Sequence, residues 1–159
     1  MTLELEDFLP YRFNRLADIL SKKASVVYRK EYGLTRPEWR TFALLGQKGR
    51  LTATEISRYS TLQKTKVSRA VYALEQRRWL VREQDEKDRR IENLSLTPQG
   101  KKAYCRLVPL MMENEQEMTR RLGKANHNAL RKGLEALERL YILSDDPAAA
   151  ERKPDDGET

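Results

Sequence analysis

The ten residues from Gln63 to Tyr72 hold the side chains with the most chemistry to offer. Laid out at about 100° per residue, Val67, Ala70, Val71 and Leu74 fall on one side of a helix. Thr65, Arg69, Tyr72 and Gln76 fall opposite, flanked by Lys66 and Ser68, with Gln63 and Lys64 at the start. An arginine fork pairs with guanine, a glutamine amide with adenine, lysine with guanine or a phosphate, and a threonine methyl touches thymine. Gln63, Lys64, Thr65, Lys66, Ser68, Arg69 and Tyr72 are therefore a candidate face for reading double-stranded DNA. A helix N-terminus adds amide donors and the positive end of a dipole for a phosphate. A solvated amphipathic helix would share this layout, and charge separates the two readings. Between Gly46 and Leu80 stand eight basic residues (Lys48, Arg50, Arg58, Lys64, Lys66, Arg69, Arg77, Arg78) and two acidic ones (Glu55, Glu75), a net +6 in a chain of +7 overall. Such concentration is the footprint of a phosphate-backbone binder.

A second group lies at Asp88, Arg89 and Arg90, within the polar segment 84–92. In extended chain Asp88 and Arg90 point the same way, so the carboxylate can hold the guanidinium for insertion into a narrow minor groove. The interleaved acids also fit a solvated loop with self-paired charges. Elsewhere the chemistry is sparse. One cysteine, Cys105, and one histidine, His127, exclude an internal disulfide and a cysteine-based zinc site. Cys105 is expected to be a partly buried helical thiol, and His127 a polar surface or capping residue. No paired carboxylates in an apolar setting and no Gly-rich phosphate loop occur, so no catalytic residue, metal site, cofactor or enzyme activity is expected.

The elements that position these residues follow from periodicity and caps. Helix one, about Phe8 to Tyr32, carries Leu9, Phe13, Leu16, Leu20, Ala24 and Val27 at steps of three and four, with Asp7 as cap and Gly33 as stop. Thr35 and Glu38 form a capping box for helix two, which runs from Arg36 to Gly46. Leu51 is a candidate lone strand. Thr52 and Glu55 form a second capping box for a short helix, interrupted at Ser60-Thr61-Leu62, before the helix Gln63–Arg78. Extended runs at 79–82 and 93–96 frame the polar segment, giving helix, turn, helix and a long-tipped hairpin: a winged helix-turn-helix. Thr97-Pro98 opens helix five, which runs to about Leu122 with Tyr104, Leu107, Val108, Met111, Met118 and Leu122 on its stripe and Pro109 inside it. Helix six, about Asn126 to Leu143, repeats Leu130, Leu134, Leu137 and Tyr141 at coiled-coil-like spacing. The terminal helices carry more apolar surface than so small a winged domain can cover, which points to oligomerisation. Residues 144–159 are expected to be a disordered tail.

The wing sequence Asp85-Glu86-Lys87-Asp88-Arg89-Arg90, followed by Leu94-Ser95-Leu96-Thr97-Pro98-Gln99-Gly100, resembles the D-x-R-R wing and L-T-x-x-G strand end of the MarR (multiple antibiotic resistance) family of bacterial repressors. Lys66-Val67-Ser68-Arg69-Ala70-Val71 with Leu74-Glu75-Gln76-Arg77 is similar to that family's recognition helix. The resemblance covers about residues 8–143; the one departure is Arg78, where a Gly is common before the first wing strand. It implies a mostly α fold with a small β-wing. A single unit 1–143 would hold a winged helix-turn-helix at 33–97 and dimerisation helices at 8–32 and 98–143. It further implies a ligand-responsive repressor acting as a dimer on a pseudo-palindromic operator, with Arg89 and Arg90 as wing contacts and Asp88 orienting. The implied effector pocket lies where helices one, two and five meet the winged part, with Tyr11, Arg15, Trp39 and Tyr104 as candidate lining. Aromatic faces with a guanidinium suit a small aromatic acid or its thioester. The alternative is a winged-helix architectural or protein-docking module without sequence-specific DNA binding. An acidic start unlike a signal peptide and the lack of an apolar run of membrane length lead to an expected cytoplasmic location without membrane contact.

Overall fold

The computed structural model describes residues 3–141; the tail expected at 144–159 lies outside them. The order is α1 (Leu9–Tyr32), α2 (Arg36–Lys48), β1 (Leu51–Thr52), α3 (Ala53–Ser60), α4 (Lys64–Gln76), β2 (Leu80–Gln84), β3 (Glu92–Leu96), α5 (Pro98–Leu122) and α6 (Lys124–Tyr141). It is mostly helical with a small wing, as the sequence indicates. The chain divides into two compact units between Asn114 and Glu115, inside α5, where the sequence reads one unit to residue 143.

Both capping boxes form. Thr35 and Glu38 exchange hydrogen bonds at the start of α2, and Thr52 and Glu55 do so at the start of α3, where the Thr52 amide donates to Glu55 Oε2 at 2.7 Å. The strands form an antiparallel sheet in the order β1-β3-β2, with Leu51 opposite Leu94 and Leu80 opposite Leu96. Leu51, Leu80, Leu94 and Leu96 are all buried, so the sheet presents one apolar face to the helices. That face meets the stripe Val67, Ala70, Val71 and Leu74 of α4, with Phe42 and Leu45 of α2 and Ile56 of α3 completing the core. Leu107 of α5 closes it.

The strand-end motif has a steric cause. Thr97 Oγ1 donates to the Arg78 carbonyl at 2.6 Å and accepts the Gly100 amide at 3.0 Å, capping α5. At Gly100 a Cβ would lie 2.1 Å from the Trp79 carbonyl oxygen, so only glycine lets α5 start this close to the strand. Arg78 has φ 59, its amide donates to the Glu75 carbonyl, and the Trp79 amide donates to the Leu74 carbonyl. This is a Schellman end to α4 with arginine at the left-handed position that glycine normally takes. The departure noted from sequence alone is thus a conformational one.

Several expectations change. Asp7 does not cap α1; Phe8 is the N-cap residue and no side chain bonds there. Gly46 does not end α2, which continues to Lys48 and stops at Gly49 with φ 84. Gly46 serves contact instead, since a Cβ there would meet the Tyr104 ring at 2.5 Å. Cys105 is exposed rather than partly buried, because Ala103 and Leu107 define the inner face of α5 and position 105 turns away from it. α6 begins at Lys124, two residues before the expected start. No residue of α6 is buried, and Leu130, Leu134 and Tyr141 stand exposed. The outer half of α1 is alike: Leu9, Phe13, Leu16 and Leu20 are 41–54% exposed.

Candidate nucleic-acid interface

The short turn after α3 sets how α4 is presented. Thr61 takes a left-handed conformation (φ 56), and the Ser57 hydroxyl donates to the Leu62 carbonyl at 2.6 Å. Arg40 of α2 donates to the Ser60 carbonyl at 3.1 Å. The Arg77 guanidinium donates to the Tyr32 carbonyl at 2.7 Å and lies over the Trp79 ring, tying the end of α4 to the end of α1. Arg77 therefore has a framework role, which the charge tally could not distinguish from DNA contact.

With its inner stripe buried, α4 turns Lys64, Thr65, Lys66, Ser68, Arg69 and Tyr72 to solvent, and Gln63 is exposed at its N-cap. No side chain caps α4, which leaves its first amides available to an anion. Lys64, Lys66 and Arg69 have no ion-pair partner among the described residues. Glu75, the sole acid on the helix, is occupied by Arg82 at 3.2 Å, and Arg82 also reaches Glu92 at 3.0 Å. The positive face is thus undiluted. Lys48 and Arg58 lie over the Tyr59 ring at 4.4 and 4.9 Å, adding cations that have no carboxylate partners among the described residues next to the turn.

The wing tip is a turn rather than extended chain, and this changes how Asp88 and Arg90 meet. The Arg90 guanidinium donates to both Asp88 oxygens, each at 3.1 Å, and the Arg90 amide donates to the same carboxylate at 3.0 Å. Arg90 itself is 91% exposed, and Arg89 is exposed beside it. The guanidinium and that amide hold the Asp88 carboxyl below its ordinary range. Sequence reasoning missed Asp85, which accepts the amides of Lys87 and Asp88 and the Asn93 side chain. An Asp two residues before a loop turn is the signal that could have found it.

The four candidate effector residues are not brought together. Trp39 stacks on Tyr28 at 5.6 Å, and Tyr104 packs edge-on against Phe42 over Gly46. Tyr11 and Arg15 lie on the exposed half of α1, about 25 and 20 Å back along the helix from Tyr28. Of the four, Trp39 alone lines a cleft, of about 380 Å³, between α2 and the end of α3. Among the described residues there is no cluster with metal-binding composition, and no helix is long and apolar enough to cross a membrane.

The MarR family profile matches residues 32–91, from the end of α1 to the wing tip. The uncharacterized HTH-type transcriptional regulator YwoH of Bacillus subtilis is 29% identical over 110 residues, 69% of this chain and 79% of its own. A solved MarR/EmrR family transcriptional regulator from Acinetobacter sp. ADP1 is similar with a TM-score of 0.76 and 25% identity, covering 86% of this chain and 96% of that one. The Bordetella bronchiseptica BpsR structure, described as showing regulation of its DNA binding by 6-hydroxynicotinic acid, is similar in fold with a TM-score of 0.74 and 17% identity, covering 87% and 98%.

Proposed function

The chain belongs to the MarR family of winged-helix transcriptional regulators, and on that premise we propose that it is a sequence-specific double-stranded DNA-binding regulator, acting as a homodimeric repressor on a pseudo-palindrome. The observation that carries this reading is the uncompensated positive face of α4, flanked by a wing whose Arg90 is held by Asp88. Arg69, Lys66 and Gln63 read base edges in the major groove, Thr65, Ser68 and Tyr72 line the same face, and Lys64 meets phosphate. Arg90 enters the adjacent minor groove with Arg89 beside it. The exposed apolar faces of α1 and α6 supply the dimer contact, and two reading helices then address half-sites about 10 base pairs apart. An aromatic acid or its thioester is the effector class, which the BpsR ligand supports by analogy. The effector lowers DNA affinity by binding the non-reading state more tightly, and DNA lowers effector affinity by the same factor. The test is selection of duplexes from genomic fragments, followed by competition with scrambled sequence. A preference of about 10³-fold or more is expected. Equal affinity for both would leave an architectural or docking module.

A further inference from the structure

Past Leu80 the wing leaves the core. β2 buries Leu80 and none of its later residues, so Val81 to Gln84 stand clear of the apolar packing. Side chains alternate along a strand, which puts Arg82 on the same face as Leu80, one step beyond the edge of the core. β3 pairs Glu92 with Gln84, so Glu92 lies diagonally beside Arg82 on that face. On α4, Glu75 follows the buried Val71 by four residues and sits at the margin of the buried stripe. The three side chains meet there. Arg82 Nε donates to Glu75 Oε2 at 3.2 Å, and its Nη1 donates to Glu92 Oε2 at 3.0 Å. The Arg82 and Glu75 side chains are 33% and 36% exposed, so the pair is partly shielded from solvent. Partial burial pulls the Arg82 pKa down, but the Glu92 hydrogen bond and the Glu75 charge outweigh it and hold the guanidinium above its ordinary value. Among the described residues this is the one ion pair between α4 and the wing.

We propose that Arg82 is a positioning residue for DNA reading: its fork braces the wing hairpin against the C-terminal end of α4 and so fixes how far Arg90 stands from Lys66 and Arg69. The bond between Asp88 and Arg90 orients the guanidinium within the tip but does not tie the tip to α4. That tie has to come from nearer the root, where Arg82 reaches across. Leu80 to Gln84 spans about 13 Å of strand, so a tilt of about 20° at Leu80 carries the tip by roughly 5 Å. Such a shift is close to the minor-groove width of about 6 Å and far beyond what a hydrogen bond tolerates. A planar guanidinium suits the task because its donors are fixed relative to one another and engage a helix and a strand at once. The duplex arm of this proposal rests on the DNA-reading function proposed above; the brace itself does not.

The test uses the full chain, first without DNA and then with a duplex selected from genomic fragments. In nitrogen-15 relaxation of the free protein, Arg82→Gln is expected to raise the mobility of amides 84–91 and to leave amides 64–76 as in wild type. Unchanged relaxation at 84–91 would overturn the brace. Tm is expected to stay within about 3 °C of wild type, because a partly exposed ion pair contributes little to global stability; a larger loss would assign Arg82 to the fold instead. On the duplex, Arg90→Ala is expected to cost about tenfold or more in affinity in the wild-type background. In the Arg82→Gln background it is expected to cost less than about threefold, because an unbraced wing no longer delivers Arg90. Equal losses in the two backgrounds would overturn the positioning role. Adding Glu75→Gln to Arg82→Gln removes the carboxylate that the first change uncovers, and affinity is expected to stay at the Arg82→Gln level. Recovery to wild-type affinity would mean that Arg82 masks a charge, and the positioning role would fall. Failure of the wild-type protein to bind any selected duplex would instead remove the DNA-reading function and leave the brace to be decided by the relaxation data.

Discussion

Replacing Gly100 with Ala tests the packing that fixes the wing to α5. The added Cβ would sit 2.1 Å from the Trp79 carbonyl oxygen, with the Trp79 C and Cα atoms at 2.9 and 3.0 Å. All three are backbone atoms, so no side chain can swing aside, and the strand entry must retreat by roughly 1 Å. The same oxygen accepts the Thr97 amide at 3.0 Å, so retreat stretches that bond as well. Overpacking of this kind costs about 1–3 kcal/mol and a lost hydrogen bond about 1 kcal/mol, against a helix-propensity gain of about 1 kcal/mol for Ala over Gly. The net expectation is a loss of about 2 kcal/mol, or roughly 4–8 °C in Tm for a chain of this size. Gly133 is the internal control: it lies in α6 with nothing within 4 Å of where a Cβ would stand, so Ala there keeps the propensity gain without a clash. Urea and thermal melts of both variants at one protein concentration should move in opposite directions. A Gly100→Ala protein as stable as wild type would refute the close approach of Trp79 to α5.

Arg69→Ala is expected to remove base discrimination worth about 1–3 kcal/mol, whereas Lys48→Ala weakens specific and scrambled duplexes alike; competition binding separates them. Arg90→Ala and Asp88→Ala should each reduce duplex affinity with the fold intact, and the double variant should lose less than the sum, because Asp88 acts through Arg90. Asp88 is held below 3.8 first by the Arg90 guanidinium, and Asp85 by the amides of Lys87 and Asp88. A depressed folded pKa gives stability that is complete above the unfolded value and lost as pH falls through the folded one. The Arg90 amide shift should therefore be flat from about pH 5 to 8 and change only in acid, as pH falls through the depressed Asp88 value. Arg78→Gly should raise stability by about 0.5–1 kcal/mol in urea melts, since relief of the left-handed conformation exceeds the added unfolded-chain entropy.

What was legible in the sequence was what repeats or caps. Val67, Ala70, Val71 and Leu74 are buried because a period near 3.6 fixes one face once the helix is granted. Thr35-Glu38 and Thr52-Glu55 announced their helices because a capping box needs only residues three apart. Gly46 misled because glycine breaks a helix by propensity but also admits a close neighbour, and Tyr104, far along the chain, decides which. Tyr11 and Arg15 were placed with Trp39 by the junction that the family resemblance implies, and the length of α1 sets them about 25 and 20 Å back along the helix from Tyr28, on which Trp39 stacks. Asp88 and Arg90 do pair, but through a turn held by Asp85, whose loop geometry no periodicity encodes.

The positions that aim the reader share one chemical device that residue spacing cannot reveal. A helix leaves its last carbonyls without partners, and here side chains from other elements supply the donors. Arg77 serves the Tyr32 and Gly33 carbonyls at the end of α1, Arg40 serves Ser60 at the end of α3, and Thr97 serves Arg78 just past α4. Each bond spans 19 to 45 residues, so each fixes the end of one helix to a distant part of the chain. The apolar core tolerates small slides of one helix on another, whereas a directional bond to a helix end does not. The orientation of α4 thus depends on three donors, and Arg40 alone among them lines an open cleft. Arg77 and Thr97 thus hold the flanks of α4, and Arg40 holds the turn that leads into it.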